Sequence, residues 1–361
     1  MTADISPKDT SPRFRELDGL RGIAALSVVI GHLTVTYDDH YAGGGEPLFK
    51  FTYGAFGVEI FFLISGFVIL MTAFRAERPL QFVISRVTRL YPAYWISIAI
   101  SVILGLSLPS LAVPTDAITI IGNMTMVQRW LFVENLDGTH WTLAVEMQFY
   151  LLILILLIVT KCRISRRSLL IFSSLWLAAS SGVSVWAYPK SHGIDPSLVP
   201  TMTKIAINLS LAQYAPLFIG GAYLFISRKS SRYHPMVAVS GLASVGSAYL
   251  LADIRHAAAV SVIYVIFSVV TLRSDSTSML LWAPFTWLGK ISYSLYITHS
   301  LVCYSVMQFL IEPIGRNAAM LLAFIICLLV AWSVWRVGEN TLSPAWRRAW
   351  TRSLSRKSAK Q

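Results

Sequence analysis

Residues 140–159 read HWTLAVEMQFYLLILILLIV, and this stretch decides the fold. From Trp141 to Val159 the only charged side chain is Glu146, and at about 1.5 Å of rise per residue the run matches the roughly 30 Å hydrocarbon layer of a bilayer. A carboxylate inside such a run is costly unless it pairs or works, so Glu146 marks a functional site within a membrane helix.

Apolar segments of comparable length recur at 20–36, 54–73, 91–109, 169–188, 205–226, 235–252, 257–272, 288–311 and 318–338. With 141–160 they predict an all-α, polytopic membrane bundle of about ten transmembrane helices. The segments 235–252 and 257–272 are short and separated only by the turn around Asp253 and Arg255, which predicts a tight helical hairpin. Composition agrees: 55% hydrophobic and 13% charged residues depart from the roughly 25% charged of soluble domains.

Orientation follows from lysine and arginine placement. Of 30 such residues, only Lys50, Arg129, Lys190, Lys204, Arg255 and Arg316 fall in one set of alternate loops. The rest place both termini in the cytosol, with 1–19 a cytosolic tail that has no apolar core of a cleavable leader, 20–338 the membrane domain and 339–361 a basic cytosolic tail. The net charge of +12 is thereby explained by topology and attraction to anionic lipid, the bilayer being the expected surrounding; nucleic acid is not an expected partner. Cys162, Cys303 and Cys327 are spaced too far apart for a metal motif and read as packing residues. The chain carries no H-E-x-x-H, Walker-type loop or G-x-S-x-G elbow, and Gly43-Gly44-Gly45 reads as an outer loop.

Depth sorts the remaining polar residues. Arg21 enters the first span from the cytosolic side, and His32 lies about 16 Å further along at 1.5 Å per residue. Glu59 and Glu146 each sit about five residues into a helix entered from outside, so His32 and both acids are expected to converge on one outward-biased pocket. Arg86 and Arg89 share a helix face and, with Arg21, form a cytosolic cluster suited to phosphate. Taken alone, an arginine pair beside a span is more often a topology signal. For His299, a satisfied core histidine and a working one are equal readings. Ser65-Gly66 reads as close helix packing. Tyr293, Tyr296 and the helix-end tryptophans read as interfacial anchors, with His140, Trp141, Tyr150, Tyr296 and His299 kept as candidate substrate contacts.

Several runs together resemble the acyltransferase 3 family of bacterial membrane acyltransferases: Leu17-Asp18-Gly19-Leu20-Arg21-Gly22 followed by His32, Phe61-Phe62-Leu63-Ile64-Ser65-Gly66-Phe67, Arg86-x-x-Arg89-Leu90-Tyr91-Pro92, His140-Trp141 with Glu146, Phe149 and Tyr150, and Gly289-Lys290-Ile291-Ser292-Tyr293-Ser294-Leu295-Tyr296. They occur in family order and span most of the chain. The resemblance implies transfer of an acyl group, usually acetyl from acetyl-CoA, to a hydroxyl of a lipopolysaccharide, exopolysaccharide, glycolipid, peptidoglycan or macrolide, by a multi-pass protein of the bacterial cytoplasmic membrane. It implies that Arg21, His32, Arg86, Arg89 and Glu146 are required. Two positions depart from the family pattern: Glu59 stands where aspartate is common, and Met147 where a second acid often follows Glu146. The acid in Arg336-Val337-Gly338-Glu339-Asn340 also lacks the proline frequently seen after it. The short C-terminus leads us to expect the membrane domain alone.

Acyl transfer to an alcohol needs a base, an anion site and exclusion of water. His32 with Glu59 and Glu146 would supply the catalytic groups, and Arg21, Arg86 and Arg89 the acyl-CoA phosphate contacts. Acyl-CoA enters as donor substrate rather than as a resident cofactor, and no metal site is expected. Buried histidine and carboxylates also make proton relays, so a proton-coupled transporter or flippase of a glycolipid or small molecule is the alternative.

Overall fold

The computed structural model describes residues 14–41, 44–195, 197–273 and 278–358; most of the expected N-terminal tail lies outside them. It is helical throughout, with no strand among the described residues. The helices are α1 Arg15–Gly31, α2 Tyr37–His40, α3 Gly57–Ala73, α4 Pro79–Ser107, α5 Ala117–Met124, α6 Trp141–Val159, α7 Arg166–Ser191, α8 Thr201–Ser210, α9 Ala215–Ser230, α10 Met236–Leu251, α11 Ile254–Leu272, α12 Ala283–Ile314, α13 Arg316–Val334 and α14 Ser343–Ser358. A π-helical turn, His32–Thr36, joins α1 to α2, and a second, Trp335–Leu342, joins α13 to α14. Nine helical stretches among the described residues are long and apolar enough to cross a membrane, and α10 is a shorter apolar helix. This is a multi-pass membrane protein, and α10 and α11 form the expected hairpin across Ala252-Asp253.

Helix boundaries differ from the hydropathy reading in an informative way. Pro79 starts α4 about twelve residues ahead of the apolar run, because proline at a first helical position costs no hydrogen bond and the Gln81 side chain accepts from the backbone N–H of Glu77 at 2.9 Å and of Arg78 at 3.4 Å. Arg86 and Arg89 therefore sit inside a helix rather than in a loop. The last span likewise runs on through its π turn into α14, so 339–361 does not begin as a separate tail.

The core is continuous across the bundle. Leu20 and Val28 of α1 pack with Phe62 and Phe67 of α3 and with Tyr293, Tyr296 and Ile297 of α12. Contact between α3 and α9 is backbone-close: a Cβ on Gly66 would lie 2.1 Å from the Phe218 carbonyl oxygen, so the packing reading of Gly66 holds. Tyr293 and Tyr296 are each 8% exposed. They are interior residues rather than interfacial anchors, because α12 packs on both α1 and α13 and presents little surface to lipid.

Candidate active site

At the end of the bundle that bears most of the arginines and lysines, Arg21 of α1, Arg86 and Arg89 of α4, Ser65 of α3 and Glu146 of α6 line one cavity. Tyr150 of α6 and Tyr293 and Tyr296 of α12 complete its wall. Glu146 Oε1 accepts from Ser65 Oγ at 2.6 Å and from Tyr150 OH at 2.5 Å. Buried Arg86 donates to Thr72 Oγ1 at 3.3 Å and to Ser85 Oγ at 3.2 Å, with its guanidinium 6.0 Å from the Tyr150 ring centroid. Tyr293 OH donates to the Leu90 carbonyl at 3.0 Å, tying α12 to the arginine helix.

A further acid joins this group. Glu339 accepts from Ser294 Oγ at 2.6 Å and, with Glu146, Asp18 and Arg89, is an electrostatic neighbour of Arg21. The π-helical turn brings it inward, and Gly338 permits the approach: a Cβ there would lie 2.7 Å from Ala93 Cα. π-helical turns recur at functional sites in this way. A groove opening at the same end shares Arg86 and Arg89 with the cavity wall, takes in Glu339 and continues past Arg75, Arg78 and Arg347. The guanidiniums outnumber the carboxylates along this path, the charge balance an anionic phosphate chain requires.

His32 occupies a different neighbourhood. Its Nδ1 lies 2.9 Å from the Val28 carbonyl oxygen, four residues back on the same helix. With a proton on Nδ1 this contact is a hydrogen bond, and Nε2 carries the lone pair. The His299 ring stands edge-on at 4.6 Å, and Tyr304 stacks at 6.3 Å. His299 Nδ1 is 2.8 Å from the Tyr296 carbonyl oxygen, while His299 Nε2 and Tyr304 OH are buried without a hydrogen-bond partner among the described residues.

The acid serving this half of the site is Asp137. Its Oδ1 accepts from Thr139 N at 2.8 Å and Thr139 Oγ1 at 2.7 Å, its Oδ2 from Leu301 N at 3.4 Å, and its charge acts on His32, His140 and His299. His140 is buried rather than at a rim: Nε2 lies 3.2 Å from Ser97 Oγ and 3.4 Å from the Ile297 carbonyl oxygen. Burial pushes its imidazole below the ordinary value, against the opposing pull of Asp137.

The expected convergence of His32, Glu59 and Glu146 does not occur. Glu146 belongs with the arginines. Glu59 Oε1 lies 3.5 Å from His256 Nε2, at the start of α11, and Glu59 Oε2 has no hydrogen-bond partner among the described residues. The reason is that α6 does not start at the bundle surface. The segment before it is folded inward, with Gln128, Asp137 and His140 each at most 1% exposed, so five residues into α6 is already deep. Tyr296 joins the two halves, lining the arginine cavity while its ring sits 5.8 Å from that of His299. Asp137 has no place in the sequence reading, and Glu339 figures there only as the acid of a C-terminal family run and not as a site residue; an acid next to a glycine, Asp137-Gly138 and Gly338-Glu339, is the one signal the two share.

Comparison with known proteins gives the chain its relatives. It is 25% identical over 327 residues to peptidoglycan O-acetyltransferase OatA of Listeria monocytogenes, covering 78% of this chain and 48% of that protein. O-acetyltransferase OatA of Staphylococcus aureus is 24% identical over 321 residues, covering 80% and 50%. Acyltransferase MdmB of Streptomyces mycarofaciens is 29% identical over 147 residues, 38% of each chain. The chain thus spans about half the length of the OatA relatives it matches. No solved structure matches it. The family model described as an acyltransferase domain matches residues 14–336, and the chain therefore belongs to the acyltransferase 3 family.

Proposed function

We propose that the protein is a membrane O-acyltransferase that moves an acyl group, acetyl first among candidates, from acyl-CoA to a hydroxyl of a cell-surface or secreted glycan or glycolipid at the bacterial cytoplasmic membrane. The observation that carries this reading is the two-part site bridged by Tyr296: an arginine-lined cavity at the basic end and, beyond it, a histidine whose Nε2 is left to accept a proton. The basic end, cytosolic by its lysines and arginines, takes the donor. The phosphates of CoA lie against Arg21, Arg86 and Arg89, and the thioester reaches past Tyr296 toward His32.

His32 Nε2 takes the proton of the acceptor hydroxyl as its oxygen attacks the thioester carbonyl. The tetrahedral intermediate then expels the CoA thiolate, which recovers the proton from the imidazolium. Asp137 stabilises that imidazolium electrostatically. Glu146 holds Ser65 and Tyr150 in the cavity wall and balances the arginine charge when the cavity is empty. Cells fed labelled acetyl donor test the reading: label on a membrane or secreted glycan, lost on gene deletion, supports it. Unmodified glycan crossing vesicles with no label transferred would instead show a transporter.

A further inference from the structure

Arg129 is the half-buried cation that the donor half of the site leaves unexplained. It lies in the 3-10 turn Gln128–Leu131, at the end of the bundle opposite the arginine cavity. Its Nη2 donates to the neutral Asn208 side chain, and its Nη1 is buried without a hydrogen-bond partner among the described residues. No carboxylate lies within ion-pair distance of it among the described residues. Arg316, a buried arginine at the same end, shows the usual solution: it pairs with Asp38 at 2.5 Å and donates to the Gly45 carbonyl at 2.9 Å. Lys50 is likewise paired, with Glu46 at 2.6 Å. A partly buried guanidinium with only an amide for company is costly unless something else supplies the negative charge.

Its surroundings are those of a carbohydrate site. Tyr214 is an electrostatic neighbour of Arg129, and the Trp141 ring sits 5.7 Å from that of Tyr214. Gln148 is 5% exposed; its amide nitrogen Nε2 donates to the Leu209 carbonyl at 2.7 Å, next to Asn208, while its Oε1 is buried and unpartnered among the described residues. The group thus offers a cation, a hydrogen-bond acceptor and the indole of Trp141, backed by Tyr214, which Phe62 contacts in turn. It also connects to the reacting groups: Phe62 of the cavity wall packs on Tyr214 at 4.7 Å, and Trp141 precedes Thr142, which lines the same cavity as Tyr296.

We propose that Arg129, Gln148, Trp141 and Tyr214 form an acceptor subsite for a negatively charged sugar. Arg129 takes a carboxylate or phosphate oxygen, Gln148 Oε1 accepts from a sugar hydroxyl, and Trp141, backed by Tyr214, stacks on the ring. The subsite makes the acceptor an acidic glycan rather than a neutral one, and as an acceptor site it rests on the transferase reading above.

Equilibrium dialysis of the purified protein with trigalacturonate, its neutral methyl ester and glucose 6-phosphate tests this, with acetyl-CoA binding measured on the same samples. We expect the acid to bind at least roughly tenfold more tightly than the ester, the increment of a charge-assisted hydrogen bond. Arg129→Ala and Arg129→Gln should erase that difference without changing acetyl-CoA binding, and Arg129→Lys should keep most of it. Tighter binding of the sugar phosphate than of the uronate would assign the anion as phosphate. Equal binding of acid and ester by the wild-type protein, no binding of either, or a preference that survives Arg129→Gln overturns the proposal. So does an acid preference present in maltoside micelles and absent in phospholipid nanodiscs, which would make a lipid headgroup the occupant. Acid preference without acetyl-CoA binding would sink the transferase reading and leave the anion site standing.

Discussion

Replacing His32 by alanine is the sharpest test of the site. The Val28 carbonyl, 2.9 Å from Nδ1, fixes the imidazole with its lone pair on Nε2, and a positioned general base contributes about 10²–10⁴-fold to rate, or roughly 2.7–5.5 kcal/mol of barrier. The donor clamp lies about 16 Å back along the same helix at 1.5 Å per residue, beyond any contact the substitution touches. His32→Ala should therefore lower kcat by about 10²–10⁴-fold while leaving KM for acetyl-CoA within about twofold. The space vacated beside His299 and Tyr304 should let added imidazole restore part of the rate. Wild-type turnover should also fall on acidification, since only neutral imidazole accepts the proton. The assay is labelled acetyl transfer in nanodiscs, with kcat and donor KM measured separately across pH. A kcat within threefold of wild type, or a loss confined to donor KM, would remove His32 from the role of base.

Other substitutions probe the remaining parts. Arg86→Ala or Arg89→Ala should raise KM for acetyl-CoA roughly ten- to a hundredfold, the equivalent of one charged hydrogen bond of about 1.5–3 kcal/mol; lysine should rescue only in part because the planar fork is lost, and donor titration decides. Glu146→Gln keeps the shape that Ser65 and Tyr150 bind but removes the charge, so transfer should fall while insertion into the membrane is unchanged; full activity at saturating donor would show that the charge is dispensable. Gly338→Ala places a methyl 2.7 Å from Ala93 Cα and should cost about 1–3 kcal/mol of stability, read as lowered Tm together with weakened donor binding as Glu339 shifts. His256→Ala breaks a partly exposed contact with Glu59 and should cost at most about 1 kcal/mol; a large loss of turnover in a stable variant would return Glu59 to the catalytic group.

The bundle is legible in the sequence because long apolar runs have one solution in a bilayer, and the arginines sort the loops. Arg21, Arg86 and Arg89 were also within reach, since their position near one membrane face follows from counting residues along spans. The grouping of the acids was not. Depth is one coordinate of three, and Glu59 and His32 at similar depth face different neighbours, His256 for one and His299 for the other. For Glu146 even the depth was misjudged, because a polar stretch such as 126–140 reads as a surface loop until its hydrogen bonds show it folded into the bundle: Asn123 Oδ1 accepts from Leu136 N at 3.1 Å, and Gln128 Nε2 donates to the His140 carbonyl at 3.3 Å. Those bonds link residues whose pairing no hydropathy pattern encodes.

Helix α1 carries the clamp residue Arg21 and ends at His32, so it acts as a gauge rod with an azimuth as well as a length. Eleven steps of about 100° return to within about 20° of the starting direction, so both side chains leave the rod on nearly the same side. Inserting or deleting one residue between them would alter the spacing by only about 1.5 Å but swing the base by about 100°, turning it out of line with the clamp. Spacing on this rod can change only by near-whole turns, whereas the π-helical turn that begins at His32 places its change of phase beyond the base, where Tyr37 and Asp38 can be re-aimed without cost to the gauge. On the transferase reading, the donor is thus measured by the distance from its phosphates to its thioester, and the outer half of the protein is free to vary what receives the acyl group.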